Sequence, residues 1–386
     1  MADYDLVVFG ATGFTGELTA EYLARTAPPG CRWAIAGRDQ GKLSAVRDRL
    51  AAIDSRWSDL PVLRADTGDP ASLRELAAAA KVVVTTVGPY LERGEPLVAA
   101  CAAEGTDYLD LTGEPEFIDR MYVAHHATAA ETGARIVHCC GFDSIPHDLG
   151  AWYTVRQLPE NVPLQVDGYV RVGARPSGGT FGTALTVVSR LPQAARAAKE
   201  RAGREPDIPG RRVRVPAGSP HRMPGTGHWA LPLPTIDPQI VRRSARATQR
   251  YGPDFRYRHF VAFTRLPSVA ATAVGAGALV AAAQLPPARR ALARLLSPGE
   301  GPDAQRRARS WFQVSFTGRG GGQEVRTQVS GGDPGYDETA KMLAESALCL
   351  AFDDLPATAG QVTTATAMGD ALIDRLTRAG IVFRTL

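Results

Sequence analysis

The chain opens with Leu6-Val7-Val8-Phe9, then Gly10-Ala11-Thr12-Gly13-Phe14-Thr15-Gly16, then a helical run from Glu17 to Arg25. An apolar strand, a glycine turn and a helix start in this order restrict the fold more than any other feature of the sequence. Glycines let a backbone approach a pyrophosphate closely. The helix N-terminus adds unpaired N–H groups and the positive end of the helix dipole. The spacing is G-x-x-G-x-x-G, not the commoner G-x-G-x-x-G, so its weight comes from the strand before it and the helix after it. Residues Gly10 to Gly16 are therefore read as a nucleotide-binding turn.

Residues 33–138 keep the rhythm of a parallel sheet. Strand-like runs at Trp33–Ala36, Val62–Ala65, Val82–Val87, Tyr108–Leu111 and Arg135–His138 alternate with helical runs at Gly41–Ile53, Pro70–Ala80, Pro96–Glu104 and Glu116–Thr132. This predicts an α/β, Rossmann-type, doubly wound domain over residues 1–148. The rhythm stops after Pro146. Leu164–Val172 and Trp311–Phe316 read as strands of another sheet, with Arg326–Val329 returning across the turn Gly318–Gly322. Residues 149–332 are thus expected to form a second, α+β substrate domain, with 203–238 as an irregular excursion. Residues 333–386 are expected to return to the first domain, beginning with an amphipathic helix over Gly335–Phe352.

A length of 386 residues suits two domains. No basic, apolar leader opens the chain, and its five cysteines form no C-x-x-C pair. A disulfide scaffold is not supported, and a cytoplasmic setting is expected. The charge is uneven. Residues 1–189 hold 16 basic and 24 acidic side chains, whereas residues 190–310 hold 22 and 7. A basic middle attracts phosphates, acidic proteins or anionic lipid, or is simply a solvated surface. Without a helix-turn-helix, zinc finger or RNP-like pattern, nucleic acid is not expected. Leu266 to Ala288 carries no charge. Its Ala/Gly content favours a buried or interfacial hairpin, including contact with a membrane surface or an acyl chain, over a spanning helix.

The candidate chemistry lies past the strand ends. An NAD site usually has an acidic residue after the second strand; here Gly37-Arg38 stands there, with Lys42 one turn on. A guanidinium suits a 2′-phosphate, so NADP is favoured. Asp66 is read as an adenine contact or a helix cap. Val87-Gly88-Pro89-Tyr90 would lie by the cofactor's second half, with Tyr90 a candidate to line the nicotinamide pocket and to donate a hydrogen bond to a substrate oxygen. The chain has no Tyr-x-x-x-Lys, so the short-chain dehydrogenase relay is absent. Asp143, Ser144 and His147 are the other candidates for proton transfer or for holding a carbonyl, each with a turn or cap as its plain alternative. His138, Cys139, Cys140 and His147 match no common metal-ligand spacing, and no metal is expected.

Taken in order, several motifs resemble those of the saccharopine dehydrogenase-like oxidoreductases, and more closely their branch of trans-acting enoyl reductases. They are Gly10–Gly16, Ala36-Gly37-Arg38, Val87-Gly88-Pro89-Tyr90, Tyr108-Leu109-Asp110-Leu111-Thr112-Gly113-Glu114, Gly141-Phe142-Asp143-Ser144-Ile145-Pro146, Gly335-Tyr336 with Thr339-Ala340-Lys341-Met342, and Thr366-Ala367-Met368-Gly369. The resemblance implies an NADP-binding Rossmann domain, an inserted substrate domain, and reduction of a 2-enoyl thioester carried by the acyl carrier domain of a polyketide synthase. The same family name covers saccharopine-type imine reductases. A non-catalytic NADP-binding protein associated with lipid or membrane is a further alternative.

Overall fold

The computed structural model describes residues 2–174, 178–223, 225–265 and 302–386, with scattered positions between 267 and 283. Most of the apolar run 266–288 lies outside the described residues. Among those described, no helix is long and apolar enough to cross a membrane. The chain divides into two compact units. One comprises Met1–Phe142, Ala197–Arg204 and Tyr336–Ala379; the other comprises Asp143–Arg196, Glu205–Gly335 and Gly380–Leu386. The division thus falls after Phe142, six residues before the expected break at 148, and the last seven residues belong to the second unit.

The first unit contains β1 (Tyr4–Phe9), β2 (Trp33–Gly37), β3 (Val62–Arg64), β4 (Ala80–Thr85), β5 (Asp107–Asp110) and β6 (Arg135–Val137). The second supplies β7 (Leu164–Val172), β8 (Arg212–Arg214), β9 (His221–Arg222), β10 (Trp229–Pro232), β11 (Asp254–Phe263), β12 (Phe312–Gly320) and β13 (Gln323–Gly331). Finally β14 (Gly360–Val362) joins the first unit and β15 (Val382–Thr385) the second.

The first sheet runs β14-β6-β5-β4-β1-β2-β3, and every pairing in it is parallel. Six of its strands follow the doubly wound Rossmann order. Leu6, Val7 and Val8 are fully buried, as a strand covered on both faces must be. The helices pack in two groups: Phe14–Thr26 with Gln40–Ile53 and Asp337–Phe352, and Pro70–Ala79 with Glu95–Glu104 and Pro115–Thr132. These are the two layers that cover such a sheet. β4 ends at Thr85 rather than Val87, so Thr86 to Pro89 leave the sheet.

The second sheet is mixed, in the order β15-β13-β12-β7-β11-β10-β9, with β8 on β11. Its β7–β11 pair is parallel and its β12–β13 hairpin antiparallel. The hairpin turn is tighter than expected. Gly318 and Gly320 lie in β12, opposite Val325 and Gln323, and only Gly321 and Gly322, both at positive φ, make the turn. A Cβ on Gly320 would stand 2.2 Å from the Leu164 side chain, so close packing rather than turning requires glycine there. The expected irregular excursion over 203–238 contains β8, β9 and β10. Helix Ile145–Arg156 packs on β7, β12 and β13, and helix Asp237–Ala247 packs on that helix and on β11.

Candidate functional site

In an open parallel sheet, ligands bind at the carboxyl ends of the strands where the strand order reverses. Here that point lies between β1 and β4, at Gly10–Gly16 and Thr86–Pro89. The three glycines of the turn differ in their surroundings. Gly10 has φ +93°, and a Cβ there would meet Val87 Cγ2 at 2.6 Å. A Cβ on Gly16 would stand 2.2 Å from the Gly10 carbonyl oxygen, so the helix could not sit on the turn. Gly13 has room: its Cβ would meet only the Gly10 oxygen, at 3.5 Å. Among the described residues nothing crowds a side chain at Gly13, so the surface there is open.

Gly13 is also the N-cap of helix Phe14–Thr26, and no side chain caps that end. Ala11 and Gly16 are buried, Thr12 and Gly13 exposed, and Phe14 packs edge-on against Tyr336 at 4.8 Å. The Thr15 carbonyl accepts from Thr19 Oγ1 at 2.8 Å. Thr86 belongs to none of the sequence motifs. It donates its hydroxyl to the Gly10 carbonyl at 3.2 Å and so fixes the turn.

Beside this turn, a cleft of about 600 Å³ is lined by Arg38, Asp39, Gln40, Arg64 and Asp66. Arg38 is where the sequence placed it. The second cation of the cleft is Arg64, at the end of β3, rather than Lys42. Asp39 accepts from the Lys42 backbone N–H as the cap of helix Gln40–Ile53. Asp66 Oδ1 accepts from Gly68 N–H at 2.9 Å, while Asp69 caps the following helix. Asp66 is therefore a turn residue on the cleft wall, not the helix cap.

Tyr90 requires a correction. Its hydroxyl donates to the Thr85 carbonyl at 3.1 Å and accepts from Leu111 N–H at 3.2 Å. Burial pushes the phenol well above its ordinary range. A buried phenol committed at both ends is a brace between strand ends, not an available acid. The neighbouring motifs also prove structural. Glu114 accepts from the N–H groups of Tyr90 and Leu91, capping the short helix Tyr90–Arg93. The buried Asp110 gathers Tyr108, Thr112, His138 and the Cys139 N–H.

In the second unit, Asp143, Ser144 and His147 sit at the start of helix Ile145–Arg156. Ser144 is the N-cap residue, but only through its backbone: its carbonyl accepts from His147 and Asp148, and its buried hydroxyl has no hydrogen-bond partner among the described residues. Burial, and then the nearby Asp237 charge, push the Asp143 carboxyl up to about 6. The buried His147 places Nδ1 3.1 Å from Asp237 Oδ1. No motif points to Asp237, which is 90 residues away. Part of the basic middle is used within the unit. Arg211 donates to the last carbonyls of helix Asp237–Ala247, and Arg258 and Arg319 hold the buried Asp167.

Residues 6–137 match the family model of the saccharopine dehydrogenase NADP-binding domain. A trans-acting enoyl reductase of Mycobacterium ulcerans is 37% identical across 98% of this chain and 97% of its own length. Another, from Mycobacterium tuberculosis, is 37% identical across 99% and 98%. The chain belongs to this family. It is an NADP-dependent oxidoreductase of the saccharopine dehydrogenase-like type. Saccharopine dehydrogenase (L-Glu forming) from Saccharomyces cerevisiae shares the fold, with a TM-score of 0.57 over 99% of each chain at 11% identity.

Proposed function

We propose that this family member reduces the carbon–carbon double bond of a 2-enoyl thioester with NADPH. The observation that carries the reading is the extent of the likeness: identity to named enoyl reductases continues through the second unit as well as the cofactor unit. The structure supports it at both ends. The open Gly13 and the uncapped helix start would take the pyrophosphate, and Arg38 with Arg64 would grip the 2′-phosphate of the adenine ribose. Asp66 would face the adenine side of the same cleft. Val87, Gly88 and Pro89 would line the nicotinamide side.

Bound NADPH supplies a hydride. The chain itself must then support negative charge on the thioester oxygen and deliver a proton to the α-carbon. Ser144 is suited to the first task, having a buried hydroxyl with no partner among the described residues. Asp143 and His147 are suited to the second. The thioester would be presented by an acidic acyl carrier domain. The arginine-rich segment supports this through side chains that remain exposed, such as Arg212 and Arg222.

The test offers the full chain NADPH with crotonyl-CoA and with a longer 2-enoyl-CoA, and separately with a 2-oxo acid plus lysine or glutamate. Oxidation of NADPH only with the enoyl thioesters supports the reading; oxidation only with the oxo acid and amine overturns it in favour of imine reduction. NADPH binding without turnover of any of these would favour a non-catalytic role. Charge reversal at Arg212 and Arg222 should slow a carrier-bound enoyl chain several-fold while sparing the free thioester.

A further inference from the structure

The second unit holds a buried polar cluster drawn from three distant segments. His147 lies in the first turn of helix Ile145–Arg156, Asp237 opens helix Asp237–Ala247, and His259 lies on β11. All three are at most 3% exposed. Asp237 Oδ1 is 3.1 Å from His147 Nδ1, and Oδ2 is 3.5 Å from His259 Nε2. The Thr235 hydroxyl donates to the same Oδ2. The Tyr257 hydroxyl lies 2.9 Å from His259 Nδ1, and the two imidazoles meet edge-on at 5.1 Å.

The hydrogen bonds order the protons. Burial pushes the Tyr257 phenol far up, so it keeps its proton and can donate to His259 Nδ1. His259 then carries its proton on Nε2, facing Asp237. Despite burial, His147 and then His259 hold the Asp237 carboxyl well below its ordinary range, so it is an anion facing a ring nitrogen of each. The same anion favours the His147 proton on Nδ1, the nitrogen turned to Asp237. His259 is pushed down by burial and stays neutral.

We propose that Asp237, backed by His259 and Tyr257, is the positioning carboxylate that fixes the tautomer of His147 and makes it the proton-holding group of the substrate unit. The inference rests on the enoyl reductase reading for its chemistry, but not for its test. Among the described residues, other ionisable groups facing the cluster include Asp143 ahead of the helix, Asp148 within it, Tyr251 and Asp167 on β7.

The experiment follows ¹⁵N signals of the histidines in the full chain across pH, with His147 assigned by its loss in His147→Asn. Wild type should show His147 protonated on Nδ1. Asp237→Asn should lower its titration midpoint by about 1 to 3 pH units, the effect of removing an adjacent opposite charge. In turnover, the alkaline limb of the kcat/KM profile should move down with it while NADPH affinity stays unchanged. Tyr257→Phe should shift the same midpoint less, and serves if Asp237→Asn does not fold. An unchanged His147 tautomer and midpoint in both variants would overturn the proposal. So would stoichiometric metal in the purified protein, since two imidazoles and a carboxylate at these spacings also suit a tetrahedral ion, whose ligands stand ~3.3 Å apart. Failure of the function reading alone would leave the ¹⁵N shift in place and abolish only the turnover result.

Discussion

Gly13→Ala separates ligand space from packing space in the glycine turn. The added methyl meets nothing closer than the Gly10 oxygen at 3.5 Å, an ordinary contact. Gly13 is extended, with φ −85° and ψ 158°, which alanine adopts freely. The expected cost to the unliganded protein is at most ~1 kcal/mol, from losing glycine at a helix N-cap. Gly16→Ala is the contrast: its methyl would lie 2.2 Å from the Gly10 oxygen and 2.7 Å from Thr86 Oγ1. Backbone must move, at about 1 to 3 kcal/mol. NADPH at a hundred times its dissociation constant should stabilise wild type by about 2.7 kcal/mol. Gly13→Ala should lose most of that stabilisation, because its methyl occupies the surface the pyrophosphate needs. Denaturant unfolding with and without NADPH, together with a direct binding titration, reads both terms. Unaltered NADPH affinity in Gly13→Ala, or an unliganded loss of stability equal to that of Gly16→Ala, would refute the reasoning.

Arg38→Ala and Arg64→Ala should each weaken NADPH by roughly 1.5 to 3 kcal/mol and leave NADH almost untouched, as competitive binding would show. Tyr90→Phe leaves the Thr85 carbonyl and Leu111 N–H unpaired; unfolding should show a loss of about 1 to 3 kcal/mol, with turnover per folded molecule retained. Asp143 has its carboxyl pushed up to about 6 from 3.8. The folded state therefore binds the proton more tightly than the unfolded state. Stability should fall as pH rises from about 4 to about 6, by about 3 kcal/mol at most, and then level off. Asp143→Asn should flatten that window in a pH series of unfolding curves.

The elements legible in the sequence are those with a local cause. β1, the glycine turn and the following helix are encoded by neighbouring residues, and the alternation of apolar strands with helices encodes the parallel sheet. β7 is legible to its observed limits because β-formers on both sides of Asp167-Gly168 carry the strand from Leu164 to Val172. The three-residue β14 is not, as Gly360-Gln361-Val362 lacks the adjacent apolar residues that mark the equally short β3 and β6. Tyr90 and Glu114 resemble chemistry in the sequence because they stand past strand ends. Their partners across 21 to 24 residues show them to be braces and caps.

The cofactor class, the parallel sheet and the family are all written in short motifs whose physics is local: glycine at a turn, an apolar strand, a cation where an acid would select NAD. Which residues work together is settled only in three dimensions. Arg38 lines one cleft with Arg64, and His147 meets Asp237 and His259 from segments 90 and 112 residues away. The surroundings then set the protonation of Asp237 and His259, because desolvation and a neighbour's charge depend on distance in space, which sequence spacing does not carry.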